Sequence, residues 1–390
     1  MGMDTLHVGI GASVEPDAGA AGAAAARTAT GQLGGRTPAL VIVYASAWYQ
    51  LPALLAGVRS VTGATAVIGA SSSGQFHDGG ATLNGTGPGV SVLAMTAGGY
   101  RFGVASVSGL AGDPFTAGYE VTRAARAAVG DDAPAHGALL VLTSGQRGDP
   151  QAMLSGIYRV AGAAVGVVGG AASDDGAHTG TFVFDGNRVL DDAVVAVWIA
   201  SPHPTPVAVA NGWRAEGLPM LVTQVDGHRI GEIAGRPAAE VFRESFLEPL
   251  PARDDQHPRQ CAAHAFGLVE PDGTQVIRGA TIDGDGVLHT WAPVPLYSAV
   301  RAVSCAPEDL LAAAEQAAEV ALAPGGARLL LAFGCTARTE ILGDRCGEEA
   351  KRLQAAAGDV PTFGFYTYGE FARTTSVAGY HNAAVATLAL

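Results

Sequence analysis

Apolar runs recur along this chain in a repeating order. A strand-length run ends on a small residue, a stretch with helical spacing follows, and a second run carries an internal glycine. The first instance is Ala39–Ser46, a helical stretch to Gly63, then Ala66 to Phe76. The second is Ala138–Ser144, a helix to Gly162, then Val165 to Ser173. The third is Leu329–Cys335, a helix to Gly358, then Thr362 to Phe371. From Ser46 to Gly69, Ser144 to Gly169 and Cys335 to Gly364 the spans are 23, 25 and 29 residues. Ser72-Ser73-Gly74-Gln75-Phe76 and Thr367-Tyr368-Gly369-Glu370-Phe371 match most tightly. The pattern predicts an α/β protein built from repeated strand–helix–strand units.

Local signals agree with it. Asp149-Pro150 is a helix N-cap followed by proline at the first helical position. Met153, Leu154, Ile157, Tyr158 and Ala161 form one apolar stripe, and Gly162 closes that helix. In the third copy Asp344 is the expected cap, with Glu348 and Arg352 one turn apart. Val90–Ala94 with Arg101–Val107, Thr181–Phe184 with Val194–Ile199, and Gln275–Ile282 with Val287–Trp291 flank turn residues and read as hairpins. The sheets are therefore expected to be mixed. The Ala/Gly-rich stretch Pro16–Gly35 reads as a surface helix under the first copy. Three prolines in Ser201–Pro206 interrupt the pattern. They suggest two domains of mixed sheets with packed helices, residues 1–205 and 206–390.

Composition narrows the partners. Of 390 residues, 48% are hydrophobic and 15% charged, a balance that suits a globular fold. The net charge is −13 with no run of Lys or Arg, so phosphate backbones and anionic membranes find no electrostatic footprint. Cys261, Cys305, Cys335 and Cys346 form no CxxC pair. Met1-Gly2-Met3-Asp4 does not open a signal peptide, and no apolar run approaches the ~20 residues a membrane span needs. A cytoplasmic protein with reduced thiols is expected. The Ala/Gly/Val bias suggests a GC-rich bacterial genome.

Candidate chemistry is sparse before the tail. Gly9-Ile10-Gly11 lacks the third glycine of a dinucleotide fingerprint and reads as a strand–helix turn. Gly69-Ala70-Ser71-Ser72-Ser73-Gly74 fails the G-x-S-x-G elbow. It reads as a small-residue turn whose serines and backbone N–H groups can hold a polar ligand. His257, Cys261 and His264, after Asp254-Asp255, match no common zinc spacing. The tail is richer. Cys335 and Arg338 follow one strand, Tyr366, Tyr368 and Glu370 follow another, and His381-Asn382 opens a third. Arg338 either pairs with a carboxylate, Glu370 being the candidate, or clamps a ligand carboxylate. Tyr366 and Tyr368 alternate onto one face, where they stack on a ligand or line an interface.

These tail residues resemble the FIST family, with its FIST N and FIST C halves. The resemblance runs over about residues 36–385. It is carried by Phe333-Gly334-Cys335-Thr336-Ala337-Arg338, the Glu348-Glu349 helix, Gly364 to Glu370, and Tyr380-His381-Asn382. Val67 to Gly74 fits the family's glycine/serine block. The resemblance implies a sensory, ligand-binding module, for which small ligands such as amino acids have been proposed. The expected reading is a stand-alone cytoplasmic sensor that signals to a separate partner and needs no cofactor or metal. Arg338 would take a ligand carboxylate, and Glu370 an ammonium. Tyr366, Tyr368, His381, Asn382, Cys335 and Ser71, Ser72 and Ser73 would line the walls. Some proteins similar in layout bind haem and sense nitric oxide, which makes His381 the alternative haem ligand. A third reading is an enzyme using Cys335 or one of Ser71–Ser73 as nucleophile, although no His–acid pairing is visible.

Overall fold

The repeated order of apolar runs folds as one topological unit used three times. A computed structural model describes all residues except 1–4, 84–86, 146, 175, 178, 247–262, 272, 284 and 374–378. Copy one comprises β1 (Val8–Ser13), α1 (Ala18–Gly31), β2 (Leu40–Ser46), α2 (Leu51–Thr62), β3 (Ala66–Ser72), β4 (Gly74–His77), β5 (Gly80–Leu83) and β6 (Val90–Met95). Copy two repeats this order. It runs β7 (Arg101–Ser108), α3 (Pro114–Val129), β8 (His136–Thr143), α4 (Pro150–Ala161), β9 (Gly166–Ala171), β10 (Val183–Asp185), β11 (Arg188–Leu190) and β12 (Ala193–Ser201).

Copy three opens on β13 (Val207–Ala210) and then admits an insertion. The inserted elements are β14 (Arg214–Asp226), β15 (Arg229–Ile233), β16 (Arg236–Pro237), α5 (Ala238–Glu244), β17 (His264–Val269), β18 (Gln275–Ile282), β19 (Leu288–Thr290) and β20 (Ala299–Ser304). The copy resumes with α6 (Pro307–Leu322), β21 (Leu330–Cys335), α7 (Thr336–Leu342), α8 (Cys346–Ala357), β22 (Thr362–Thr367), β23 (Glu370–Arg373), β24 (Tyr380–His381) and β25 (Val385–Ala389).

Three sheets result, with strand orders β1-β6-β2-β3-β10-β11, β7-β12-β8-β9-β23-β24 and β13-β25-β21-β22-β4-β5. Position by position they are equivalent. Only the central strand pair of each sheet is parallel (β2–β3, β8–β9, β21–β22). The outer hairpin is always supplied by another copy: copy one gives β4–β5 to sheet three, copy two gives β10–β11 to sheet one, and copy three gives β23–β24 to sheet two. The three copies are thus interlaced in a ring, and hydrogen bonds cross the division at residue 205.

The inner faces of the sheets share one core, which includes Ile42, Tyr44, Leu140, Val195, Phe333 and Phe365. On the outer faces, α1 and α2 cover sheet one, α3 and α4 cover sheet two, and α6 and α8 cover sheet three. Parallel strands connected by helices require this coverage. The internal glycine of each copy has a steric reason. A Cβ on Gly69, Gly169 or Gly364 would stand 1.9, 1.9 and 1.7 Å from the carbonyl oxygens of Val43, Val141 and Ala332 on the neighbouring parallel strand. No larger residue fits without displacing that strand.

The expected helix over Pro16–Gly35 is α1, and Asp149 caps α4 by accepting from the backbone N–H groups of Gln151 and Ala152. Gly9 and Gly11 let β1 approach α1, since a Cβ on either would meet the carbonyl of Ala29 or Ala25. The hairpin expected at residues 275–291 forms as β18–β19. The one expected from Val90 to Val107 does not. β6 joins sheet one and β7 joins sheet two, so the Gly98-Gly99 turn is a crossing between sheets. The hairpin near Asp185 is β10–β11, and the strand from Ala193 leaves it for sheet two. Asp344 does not cap α8, which begins at Cys346 after a short 3-10 turn.

The insertion is a seven-stranded antiparallel sheet of order β14-β20-β17-β18-β19-β15-β16. One of its faces packs under α5 through Phe242, Phe266, Val276 and Ala280. The other places Ala265, Ile277 and Val303 against Cys335, Ala337 and Ala383 of copy three.

Candidate functional site

The tips of the three second strands converge, and backbone bonds stitch them together. Ser173 N–H donates to the Ser71 carbonyl at 3.0 Å, and its hydroxyl donates to the Tyr366 carbonyl at 2.6 Å. Ser73 N–H donates to the Ser173 hydroxyl at 2.8 Å. The serines of copy one therefore stand beside the copy-three strand, as a facing wall would. Ser71 is fully buried, and its hydroxyl accepts from Phe182 N–H at 3.0 Å. Ser72 accepts from the Gln75 amide.

Tyr366 and Tyr368 do not share a face. Tyr366 lies on the outer side of β22, where it packs on Phe76 and donates to Glu349 Oε2 at 2.8 Å. Tyr368 lies beyond that strand in the turn and donates to Asp174. Asp174 is fully buried and also accepts from Thr179 and Gly180 N–H.

Arg338 is fully buried, and its partner is Glu349 of α8 instead of the expected Glu370. Nε donates to Glu349 Oε1 at 2.6 Å, and Nη2 donates to the Leu310 carbonyl at 2.7 Å. Nη1 reaches the Asn211 carbonyl at the end of β13 at 3.5 Å. Burial pushes the guanidinium down, but the adjacent Glu349 carboxylate more than offsets that and holds its pKa above the usual value. Burial and the same carboxylate raise the Tyr366 phenol well above its ordinary range. Arg338, Glu349 and Tyr366 thus form a closed network. Its hydrogen bonds tie α8 to the start of α6 and the end of β13.

A second cluster lies where β23 and β24 meet the inserted sheet. Glu370 and His381 face one another across the antiparallel pair. Glu370 is fully buried and accepts from the Thr367 hydroxyl at 2.7 Å and from Ala384 N–H at 3.1 Å. Burial outweighs these bonds and pushes its carboxyl up to about 8. The Cys335 thiol beside it is driven well above its ordinary range by burial and by Glu370. That is the reverse of an activated nucleophile. Burial lowers His381 to about 4, and its Nε2 lies 3.0 Å from the Ala372 carbonyl. That nitrogen is not presented to an iron, so the geometry does not fit His381 as an Nε2 haem ligand.

Asn382 is buried and donates to the His381 carbonyl at 3.2 Å. Its Oδ1 has no partner among the described residues. Among the described residues no group of three or more His, Cys, Asp or Glu is placed to hold a metal. Apart from His264, the expected loop from Asp254 to His264 lies outside the described residues.

The roles of two residues of these clusters were not read from the sequence. Glu349 shares its helix face with Cys346, Ala350, Leu353 and Ala357, so a charge at a core position was the available signal. Arg278 sits inside the apolar strand β18 and is only 5% exposed. Its Nη1 donates to the carbonyls of Ile277 and Tyr380 at 3.0 and 3.2 Å, and its Nε has no partner among the described residues. Burial lowers its pKa to about 10, so it remains charged at neutral pH. The signal was a lone guanidinium where the strand pattern calls for an apolar side chain.

The profile of the FIST N domain matches residues 39–236, and that of the FIST C domain matches residues 238–373. The chain belongs to the FIST family, whose domains are generally sensory domains of signalling proteins. An uncharacterized protein of Mycobacterium tuberculosis (strain ATCC 25618 / H37Rv) is 30% identical over 397 residues, 97% of each chain. An uncharacterized protein of Mycobacterium bovis (strain ATCC BAA-935 / AF2122/97) is 31% identical over 221 residues, 52% of this chain and 55% of that relative. The chain thus matches about half the length of the latter. The crystal structure of cyanuric acid hydrolase from A. caulinodans overlaps 51% of this chain and 72% of that one, with 13% identity and a TM-score of 0.29. That likeness is too distant to bear on chemistry. No helix among the described residues is long and apolar enough to cross a membrane.

Proposed function

We propose that this chain is a cytoplasmic sensory module that binds a small polar ligand and passes the signal to a separate protein. The ligand is held where the copy-three tips meet the inserted sheet, by Arg278, Glu370, His381 and Asn382, with Cys335 beneath. One observation carries this reading. Arg278 and Asn382 are buried polar side chains with unused hydrogen-bonding capacity, and each is anchored to a carbonyl of the Tyr380–His381 strand. Buried groups left in that state cost stability, and a ligand that completes them recovers it. Arg338 is not part of this site, because its guanidinium is committed to Glu349 and two backbone carbonyls.

A thermal-shift screen of small polar metabolites tests the reading. A ligand at a hundredfold excess over its Kd stabilises the fold by about 2.7 kcal/mol, which raises the midpoint visibly. A screen across amino acids, organic acids, amines and sugars in which nothing shifts the midpoint contradicts it.

A further inference from the structure

We infer that the ligand of this junction carries a carboxylate, and that Arg278 is the residue that recognises it. The inference rests on the sensory reading above and names the chemical class it leaves open.

The geometry singles out Arg278. It is the arginine of β18, directly opposite Phe266 on β17. A buried guanidinium normally pairs with a carboxylate, as Arg338 does with Glu349. Arg278 makes no such ion pair among the described residues. Glu270 influences it through space without bonding to it. Its hydrogen bonds among the described residues go to two neutral carbonyls through one nitrogen, and its Nε has no partner there. A planar fork with free N–H donors fits a carboxylate in two parallel bonds.

The charge of the surroundings fits an anion. Glu370 is neutral at pH 7 because burial holds its carboxyl near 8, and His381 is neutral because burial holds it near 4. Cys335 and Tyr380 are raised by burial and stay neutral too. Arg278 keeps its positive charge, and Glu270 acts on it only through space, so an anion placed against the fork meets a guanidinium with no bonded acid among the described residues. Asn382 Oδ1 is an acceptor without a donor among the described residues, which favours a carboxylate whose carbon skeleton also bears a hydroxyl or ammonium group.

The experiment compares acids with their own amides on the full chain. Thermal shift and calorimetric titration would use lactate against lactamide, alanine against alaninamide, and acetate against acetamide. The expected result is that at least one acid binds, that its carboxamide partner binds on the order of tenfold or more weakly, and that Arg278→Gln loses the same discrimination. Arg278→Lys should retain part of it. Because the acid–amide comparison uses unmodified protein, it stands even where a variant fails to fold. Two results overturn the inference while leaving the sensory reading intact. One is an amide, amine or sugar that binds as well as any acid. The other is an acid whose affinity is unchanged in folded Arg278→Gln. If none of these acids binds, the inference fails, and the broader screen of amino acids, organic acids, amines and sugars decides the sensory reading.

Discussion

In copy one the Gln75 amide donates to Ser72, three residues earlier. In copy three the same pair of positions holds Glu370 and Thr367, and the hydroxyl donates to the carboxyl. The next equivalent pair is Tyr49 and Arg338. Tyr49 donates to the Glu15 carbonyl just past β1, and Arg338 reaches the Asn211 carbonyl just past β13. Ser46 of copy one stands where Cys335 stands in copy three. Glu370 and Arg338 thus each have a neutral counterpart in copy one that makes one similar hydrogen bond. What differs is charge and polarizability: amide becomes carboxyl, phenol becomes guanidinium, hydroxyl becomes thiol. The comparison separates scaffold from site. Arg338 has a structural twin and a dedicated acid, and is scaffold. Arg278 lies on the inserted sheet, which has no counterpart in copies one and two.

The largest effect should come from splitting the Arg338–Glu349 pair, which copy one does not need. Arg338→Met or Glu349→Gln alone should cost about 3–5 kcal/mol, because each leaves a buried charge without its partner. Replacing Arg338, Glu349 and Tyr366 together by Met, Leu and Phe should recover most of that loss in urea denaturation. A triple variant no better than the single ones would show that the network is not self-contained.

Next come the equivalent glycines. Gly69→Ala and Gly364→Ala should each cost about 3 kcal/mol or more, since the added Cβ meets a backbone carbonyl below 2 Å. Similar losses in both copies would support the shared strand geometry, and a tolerated alanine in either would break it.

A third test uses pH. The Glu370 carboxyl titrates near 8 in the folded state, above the ordinary glutamate value. The folded state therefore binds a proton more tightly than the unfolded chain. The resulting stability is full below the unfolded pKa and is lost as pH rises from about 4.5 to about 8. Glu370→Gln, which copies the Gln75 arrangement, removes this dependence. It should match wild type near pH 4.5 and exceed it by on the order of 1–3 kcal/mol at pH 7. Equal pH slopes in the two proteins would contradict the raised pKa. The smallest effect belongs to Cys335→Ser, which restores the residue type of Ser46 and Ser144. It should change stability by about 1 kcal/mol or less, read from thermal midpoints.

Much of this architecture was legible in the residues, and the reasons are local. Each copy repeats a glycine that cannot carry a side chain and an apolar run that must be buried, so the threefold repetition shows in one dimension. The exchange of hairpins does not. Gly74–Leu83 reads as a hairpin whichever sheet edge receives it, and only the packed core decides that it pairs with β22. The tail was read as polar, and the structure buries Cys335, Arg338, Tyr366, Glu370, His381 and Asn382. Its guanidinium was given the wrong acid because Glu349 reads as one of a charged pair on a helix, and only the buried face it shares with Cys346, Ala350 and Leu353 marks it as a core residue. Arg278 was overlooked because it lies 102 residues before its carbonyl partner Tyr380, on an insertion with no counterpart in the other copies.

The claim that the ligand sits at the junction of copy three and the inserted sheet is tested most directly by hydrogen exchange. Exchange would be followed with and without a compound that stabilises the chain. The account predicts added protection in β18, β23, β24 and the start of β25, around Arg278, Glu370 and Asn382, with the tips of copies one and two unchanged. Protection confined to Ser71–Phe76 or to Thr143–Gly145 would contradict it.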